Sequence, residues 1–524
     1  MHRRNEAGCL YKEWNTLMEL ELDRTQLNGY EALLDTTLFQ EETLEMIVPD
    51  ACPDILRVVE TDGKVLLRSK EAMDGRVEVA GTIRACVLYL PDGECGMRHL
   101  DVSIPFRVSA EGKDIGPGCT VTACARLRRA DTRAVNPRKV LVRAEAAVDV
   151  TVFAPMTERV CSRVPDAAEQ SVEQLTETQE VYLTACVQEK PFSLSEEVSL
   201  SASKPAAAEL LKCRIALCRG ESKIIGNKLI FKGSADVSLL YRGEDDGVYA
   251  AGCELPFSQI MEVSGVGEGA DCDILLTLSG GSCALSDGEG RSVSVSLDLL
   301  AQAVIREPRT LEVLADAYST GQPLDARWET YSLSRRVDGG VRSQNAREVW
   351  ETGTAVREVN DCRLAVGQMT RSREGKQLVL TAQVEVNILY TGEDGELYAA
   401  QRQVGVPCAL DLPEESQCFC QCEGVGEVYA APAAGGLEAR FTLDFRYRAQ
   451  SKKQVTALLS LEPGAAREDT GEQPSLVLRM LEKGERLWDV AKAYATTIAD
   501  IIGANELEDE AAAAGKLLLI PRKR

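Results

Sequence analysis

Between Val77 and Tyr89 every second residue is apolar or small: Val77, Val79, Gly81, Ile83, Ala85, Val87 and Tyr89. The residues between them, such as Glu78, Thr82 and Arg84, are largely polar. A period of two predicts a strand with one buried face, because successive side chains of an extended backbone point to opposite sides. The same layout returns from Leu229 to Tyr241, with Lys232, Ser234, Asp236 and Ser238 on the polar side. It returns again from Leu378 to Tyr390, with Thr381, Gln383, Glu385 and Asn387 on that side.

The three terminal tyrosines are 152 and 149 residues apart, and Pro105, Pro256 and Pro407 follow at spacings of 151 and 151. Two independent markers with one period indicate an internal repeat. An Asp-Gly pair follows each tyrosine (Asp92-Gly93, Asp246-Gly247, Asp394-Gly395). That dipeptide suits a hairpin turn because both central residues tolerate positive φ. Each unit then closes with two more strand-like runs: 120–127 and 140–153, 273–284 and 292–304, 417–429 and 438–448. The expected fold class is mainly β, with three tandem β-sandwich-like or open-barrel repeats. Helical spacing is weak in these units, although 31–34 and 206–211 suggest short helices near the start of the first two.

Residues 462–474 are polar, with two prolines and two glycines, and are expected to form a flexible tether. Beyond it a short strand over 475–480, helical spacing over 486–494 and 498–503, and a closing strand over 516–520 predict a βααβ unit. The expected organisation is therefore a tail at 1–30, repeats at 31–160, 161–320 and 321–461, a linker at 462–474 and a C-terminal module at 475–524.

Composition narrows the function. With 82 acidic against 59 basic residues the formal net charge is −23. Such a chain repels nucleic-acid phosphates and anionic membrane surfaces, which need clustered Lys and Arg. No stretch approaches the roughly 20 apolar residues of a membrane-spanning helix. The start, Met1-His2-Arg3-Arg4 running into Tyr11-Lys12-Glu13-Trp14, has a basic opening but lacks the apolar stretch of a signal peptide, so a cytoplasmic location is expected. The 18 cysteines are scattered without repeated close spacing, which suits reduced, mostly buried thiols.

Catalytic candidates are few. The chain has two histidines, His2 and His99, so any triad, Cys-His pair or His-rich metal site rests on His99, in the return strand of the first repeat. A strand histidine without a counterpart in the other repeats is expected to be structural. Cys418, Cys420 and Cys422 alternate along a strand, where three thiols on one face read as small buried side chains, since structural zinc prefers ligand pairs two to four residues apart. Gly265-Val266-Gly267-Glu268-Gly269-Ala270 imitates a dinucleotide loop, yet it leads into a strand and not into a helix N-terminus that could hold phosphate. No P-loop motif occurs, and no cofactor or metal is implied. Two carboxylates several ångströms apart suffice for a glycosidase and leave no local motif, but threefold repetition of strand faces suits a scaffold better.

From Leu481 to Pro521 the sequence LEKGERLWDVAKAYATTIADIIGANEL, followed by GKLLLIP, resembles a LysM domain over the whole module. Glu485 and Arg486 stand where that family has Asp and Thr, putting a bulky cation where a small hydroxyl would face the glycan groove. That departure argues against sugar binding. By the resemblance, Lys483, Gly484, Glu485, Arg486, Leu487 and Trp488, with Asn505, line the two loops flanking the groove and are the candidate partner contacts. Trp488 has two readings. Buried, its ring removes roughly 150 to 250 Å² from water, worth at most about 4 to 6 kcal/mol. Leu487, Val490, Ala491 and Tyr494 lie at helical spacing around it, so a core role stands beside that of a binding hot spot.

The Leu-Tyr and Pro-Phe marks at Leu88-Tyr89, Pro105-Phe106, Leu240-Tyr241 and Pro256-Phe257 resemble SPOCS domains of clostridial spore-coat proteins, with Pro407-Cys408 in the third unit. SPOCS units followed by one LysM module are similar to coat adaptors that bind the stage IV sporulation protein A, a coat-basement ATPase. The resemblance implies a non-catalytic adaptor in the mother cell, at the forespore surface. A second reading is an envelope protein whose LysM module binds peptidoglycan, and a third is a carboxylate-dependent cell-wall hydrolase.

Overall fold

The computed structural model describes residues 20–267, 269–286, 288–464, 475–482, 484–513 and 515–522. The chain is mainly β. Eighteen strands come first: β1 (Asp23–Ile47), β2 (Ile55–Met73), β3 (Arg76–Pro91), β4 (Arg98–Glu111), β5 (Thr120–Asn136), β6 (Lys139–Arg163), β7 (Val172–Ser199), β8 (Ala207–Ile225), β9 (Lys228–Gly243), β10 (Val248–Glu262), β11 (Asp271–Leu285), β12 (Ser292–Ser319), β13 (Leu324–Glu351), β14 (Val356–Glu374), β15 (Gln377–Gly392), β16 (Leu397–Asp411), β17 (Gln417–Ala433) and β18 (Gly436–Pro463). After them come β19 (Leu476–Met480), α1 (Leu487–Tyr494), α2 (Ile498–Ala504), a single 3-10 turn at Ala511–Ala513 and β20 (Leu517–Pro521).

The strands sort into two kinds of open sheet. Short three-stranded sheets form from β2-β3-β4, β8-β9-β10 and β14-β15-β16. Long antiparallel pairs, β1 with β6, β7 with β12 and β13 with β18, lie behind them, each with a further strand (β5, β11 or β17) on its edge. Apolar cores fill the space between each short sheet and its long partners. In β3 the alternation is the cause: Val77, Val79, Ile83, Val87 and Tyr89 have no solvent exposure, and all point to that core. The recurring tyrosine has its own task. Tyr89 donates to the Pro53 carbonyl at 3.3 Å and Tyr241 to the Pro205 carbonyl at 3.5 Å, while the Tyr390 hydroxyl meets that of Thr354 at 3.4 Å. Each pins the chain entering the first strand of its short sheet.

At Gly81 and Gly233 a neighbouring ring leaves no room for a side chain. A Cβ on Gly81 would lie 2.5 Å from the Phe106 ring, and one on Gly233 would lie 2.6 Å from the Phe257 ring, because each phenylalanine sits directly across the ladder and covers its glycine. In the third short sheet Cys408 opposes Leu380, and there is no glycine to cover.

Two short helices expected from sequence are strands. Residues 31–34 belong to β1 and 206–211 lead into β8. In both, a register shift falls at an apolar doublet, between Ala32 and Leu34 and between Leu210 and Lys212. A bulge lets adjacent residues both face apolar surroundings, which breaks the period of two and mimics a helical face. The thiols also need one correction: Cys213 of β8 and Cys283 of β11 form a disulfide, with Cα atoms 6.5 Å apart. It ties a short sheet to the long sheet behind it.

The three short sheets meet at a buried charge cluster. Lys212 lies 2.9 Å from Glu60 and 2.6 Å from Asp361, Arg214 lies 2.5 Å from Asp361 and 3.4 Å from Asp62, and Arg363 lies 2.7 Å from Asp62. The side chains of Lys212 and Asp62 are only 5% and 3% exposed. Burial alone would raise the Asp62 carboxyl, but Arg363, Lys212 and Arg214 outweigh it and hold the group well below the ordinary carboxylate range. Burial would likewise lower the Lys212 ammonium, and Glu60, Asp361 and Asp62 reverse the shift. Beside the charges Leu88, Leu240 and Leu389, one from each short sheet, close an apolar plug.

Removing one partner strands the others as uncompensated buried charge, which typically costs about 3 to 5 kcal/mol. Asp62→Asn is therefore expected to lower stability by about that much in urea unfolding at pH 7. The folded-state carboxyl is depressed, so its ion pairs contribute fully above the unfolded value of ~3.9 and fade as pH falls toward the lowered folded value. The gap between Asp62→Asn and the unaltered chain should narrow below pH 4; equal stability at pH 7 would contradict the assignment.

Candidate functional site

The C-terminal module is built on a two-stranded sheet. β19 and β20 pair antiparallel from Leu476 opposite Pro521 to Met480 opposite Leu517. The helices pack on one face of this hairpin, where Leu518 and Ile520 meet Leu487, Trp488, Val490, Ala491 and Ile501. α1 ends as Ala495 takes a left-handed conformation at φ 52°, and α2 begins at Thr497, whose side chain accepts the Asp500 amide at 3.0 Å. Such a cap satisfies an amide that the first helical turn leaves without a partner.

The residues singled out in this module separate into three kinds. Gly484, Glu485 and Arg486 form the turn before α1, and Lys483 lies outside the described residues. Gly484 has φ +93° with open space around it, and Arg486 is exposed, its guanidinium held by Asp489 at 2.9 and 3.0 Å. The hydrogen bond from Arg486 holds the Asp489 carboxyl below its ordinary range. Glu485 pairs with Arg479 at 2.5 Å, which fixes the turn to β19. Leu487 and Trp488 point inward and are buried. Asn505 is a brace: its amide donates to the carbonyls of Ile501 at 2.8 Å and Leu519 at 2.7 Å, and its Oδ1 accepts the Leu519 amide at 2.7 Å.

Sequence reasoning missed the seat of the module. Trp488 Nε1 donates to Asp316 Oδ2 at 2.8 Å, and Lys492 Nζ reaches both Asp316 oxygens at 2.7 and 2.8 Å. Tyr318, two residues further along β12, meets the Trp488 ring edge-on at 4.9 Å between centroids and donates to the Thr496 carbonyl at 2.7 Å. Burial pushes the Tyr318 hydroxyl well above its ordinary range, so it remains a donor. The Lys492 ammonium also lies 5.7 Å from the Trp328 ring on β13. Nothing in a local stretch of sequence marks Asp316, because its partners are 172 and 176 residues away.

The remaining candidates occupy structural positions. His99 Nδ1 lies 2.8 Å from Glu209 Oε1, linking β4 to β8, and that hydrogen bond raises the imidazole above its ordinary value. Cys418 is buried and Cys420 and Cys422 are partly buried; burial pushes the Cys422 thiol up to about 12, so it is a thiol and not a thiolate at neutral pH. No group of three His, Cys, Asp or Glu among the described residues is arranged to hold a metal ion. The Gly265 to Ala270 loop turns back onto β12, where Glu307 accepts the Gly267 amide at 2.8 Å.

Two stretches of the chain match the SipL SPOCS domain. The matched residues, 54–135 and 207–285, coincide with β2 to β5 and with β8 to β11. Each matched stretch is a short three-stranded sheet plus the edge strand behind it, and its first strand contributes Glu60 and Asp62, or Lys212 and Arg214, to the charge cluster. The match supports SPOCS-type domains in these two stretches, which together make up less than half of the chain. No curated protein and no solved structure matches the chain. No helix among the described residues is long and apolar enough to cross a membrane.

Asp316 carries three donated hydrogen bonds from the module, so Asp316→Ala is expected to cost about 1 to 3 kcal/mol of docking. Hydrogen exchange in α1 should accelerate while β3 and β9 keep their protection. Unchanged exchange in α1 would show that the seat does not hold the module.

Proposed function

We propose that this chain is a non-catalytic adaptor of spore-coat assembly, in which three tandem SPOCS-type repeats present a LysM-type module to a protein partner. The observation that carries the reading is the SipL SPOCS match in two successive sheet sets of one chain. The corresponding strands β14 to β17, with the same pairing order, serve as a third repeat. The β-α-α-β order of residues 476–521 supports the LysM assignment.

The partner in this reading is a coat-basement ATPase like the stage IV sporulation protein A, met at the forespore surface in the mother-cell cytoplasm. The open turn at Gly484 and Arg486 is the part of the groove left for that contact, since Trp488 is covered by Asp316 and Tyr318. A non-catalytic role agrees with His99 bonded to Glu209 and with the thiols pushed up by burial.

Affinity capture from sporulating cells separates this reading from a glycan-binding one. The full chain should retain the ATPase, a chain without residues 475–524 should lose it, and Arg486→Glu should weaken it by about tenfold through charge reversal at the contact. Pelleting with insoluble peptidoglycan, without retention of the ATPase, would overturn the proposal in favour of a cell-wall module.

A further inference from the structure

Two strand edges that meet a neighbouring sheet do so in different ways. At the edge of β5 the contact is closed by Gln302 of β12: the Ala123 amide donates to Gln302 Oε1 at 2.9 Å, and Gln302 Nε2 donates to the Ala123 carbonyl at 2.7 Å. The edge of β11 meets β18 instead. Moving 144 residues along the chain carries the buried Val293, Leu297 and Ala301 of β12 onto the buried Leu437, Phe441 and Phe445 of β18, so Arg446 stands where Gln302 does. Ile274 stands where Ala123 does, since it lies opposite Ala303 of β12 as Ala123 lies opposite Val150 of β6.

With arginine in the place of glutamine, donors face donors. The Ile274 carbonyl accepts a hydrogen bond from Arg219 at 2.9 Å, and the amide of a strand residue points the same way as its carbonyl, so the Ile274 amide lies on the same open edge. Arginine has no acceptor, and Arg446 cannot take that amide as Gln302 Oε1 takes its counterpart. Arg446 Nε is itself buried without a hydrogen-bond partner among the described residues, and so is Arg448 Nε, two residues further along β18. A cavity of about 370 Å³, counting its open mouth, is found here. It is lined by the apolar Phe231, Ile274 and Leu276 and by the polar Arg219, Ser222 and Arg446. That volume is at the small end of ligand sites.

The charge around the cavity is one-sided. Arg219 is held by Glu423 at 2.9 Å, Arg446 lies 3.9 Å from the same carboxylate, and Arg306 and Arg448 share Asp273, Arg306 at 2.7 Å. Nearby Arg336 and Asp271 cancel each other at 2.6 Å. Four guanidinium groups therefore meet two carboxylates, an excess of two positive charges in a chain whose net charge is −23. Burial and the adjacent Arg448 push the Arg306 guanidinium down to about 10, as expected where cations crowd together with too little counter-charge.

We propose that this cavity binds a small dianion of the phosphate class, whose oxygens accept from Arg446 Nε and from the Ile274 amide. Such an ion supplies the acceptor that arginine lacks, and its charge matches the excess, whereas a carboxylate would bring a single charge.

Calorimetric titration of the full chain at pH 8, with ionic strength held by chloride, tests the site. Inorganic phosphate should bind, and Arg446→Gln should weaken it by at least about tenfold, while Arg347→Gln, on the exposed face of β13, should change it by less than about twofold. Glutamine at 446 can accept the Ile274 amide as Gln302 accepts that of Ala123, so the variant is expected to fold. If it does not, hydrogen exchange of the unaltered chain decides: phosphate should slow the Ile274 amide by at least about threefold and leave β5 unchanged. Glycerol phosphate, titrated in the same way, distinguishes the source, since tighter binding of the ester or of the free ion names the form of phosphate that the site takes. No phosphate binding beyond the chloride control would overturn the proposal, as would equal affinity in Arg446→Gln or an Ile274 amide that phosphate does not slow.

Discussion

Six charged side chains, three of them buried and three partly buried, meet where three short sheets converge and are the constraint on which the body of this protein depends. Glu60, Lys212 and Asp361 are spaced by 152 and 149 residues, as are Asp62, Arg214 and Arg363, the same intervals that separate the repeated tyrosines. Two corresponding positions thus carry acid, base, acid in one case and acid, base, base in the other, and they sum to zero at the junction. Three look-alike sheets could join in several ways through apolar surface alone. A wrong neighbour here would leave a charge buried without its counterion, so the cluster selects one arrangement even where its net contribution to stability is small. Gln302 adds a second selective contact, its amide bonding the Ala123 amide and carbonyl at 2.9 and 2.7 Å across the boundary between β12 and β5.

That junction fixes the long strand pairs, and their ends then shape the seat for the C-terminal module. At the apolar end of the body Leu27, Val160, Leu311, Val313, Tyr331 and Val455 from three strand pairs share one cluster. Asp316 and Tyr318 follow on β12, where the module rests. The module is thus held against the body by one aspartate, one tyrosine and an apolar contact. This is a modest interface beside the hairpins, and it suits an element whose contacts can be exchanged for those of a partner.

Much of the sheet interior was legible because period-two patterning acts locally. Tyr89 and Tyr241 have no exposure and Tyr390 little, as their place at the end of each alternating run implies. The great length of the outer strands was not legible. β1 continues through Phe39-Gln40-Glu41-Glu42-Thr43, a polar run that is extended only because β6 pairs with it from Lys139 to Arg163. Bulges at Leu34 and Leu210 imitated helical spacing for the same reason: long-range pairing overrides local preference. In the candidate site, the helical spacing around Trp488 allowed two readings, and the structure packs its ring against Tyr318 with its Nε1 on Asp316. Its polar partner Asp316 was hidden by distance along the chain, whereas the charge cluster carried a signal that the repeat period could have exposed, opposite charges at corresponding positions.

A charge cluster shared by the three sheet sets should make them one cooperative body. Hydrogen exchange of β3, β9 and β15 across a urea series below the unfolding transition measures this directly. The three strands are expected to lose protection together, at one common free energy. Opening of β15 well before β3 and β9, with those two undisturbed, would contradict it and leave three separate sheets on a string.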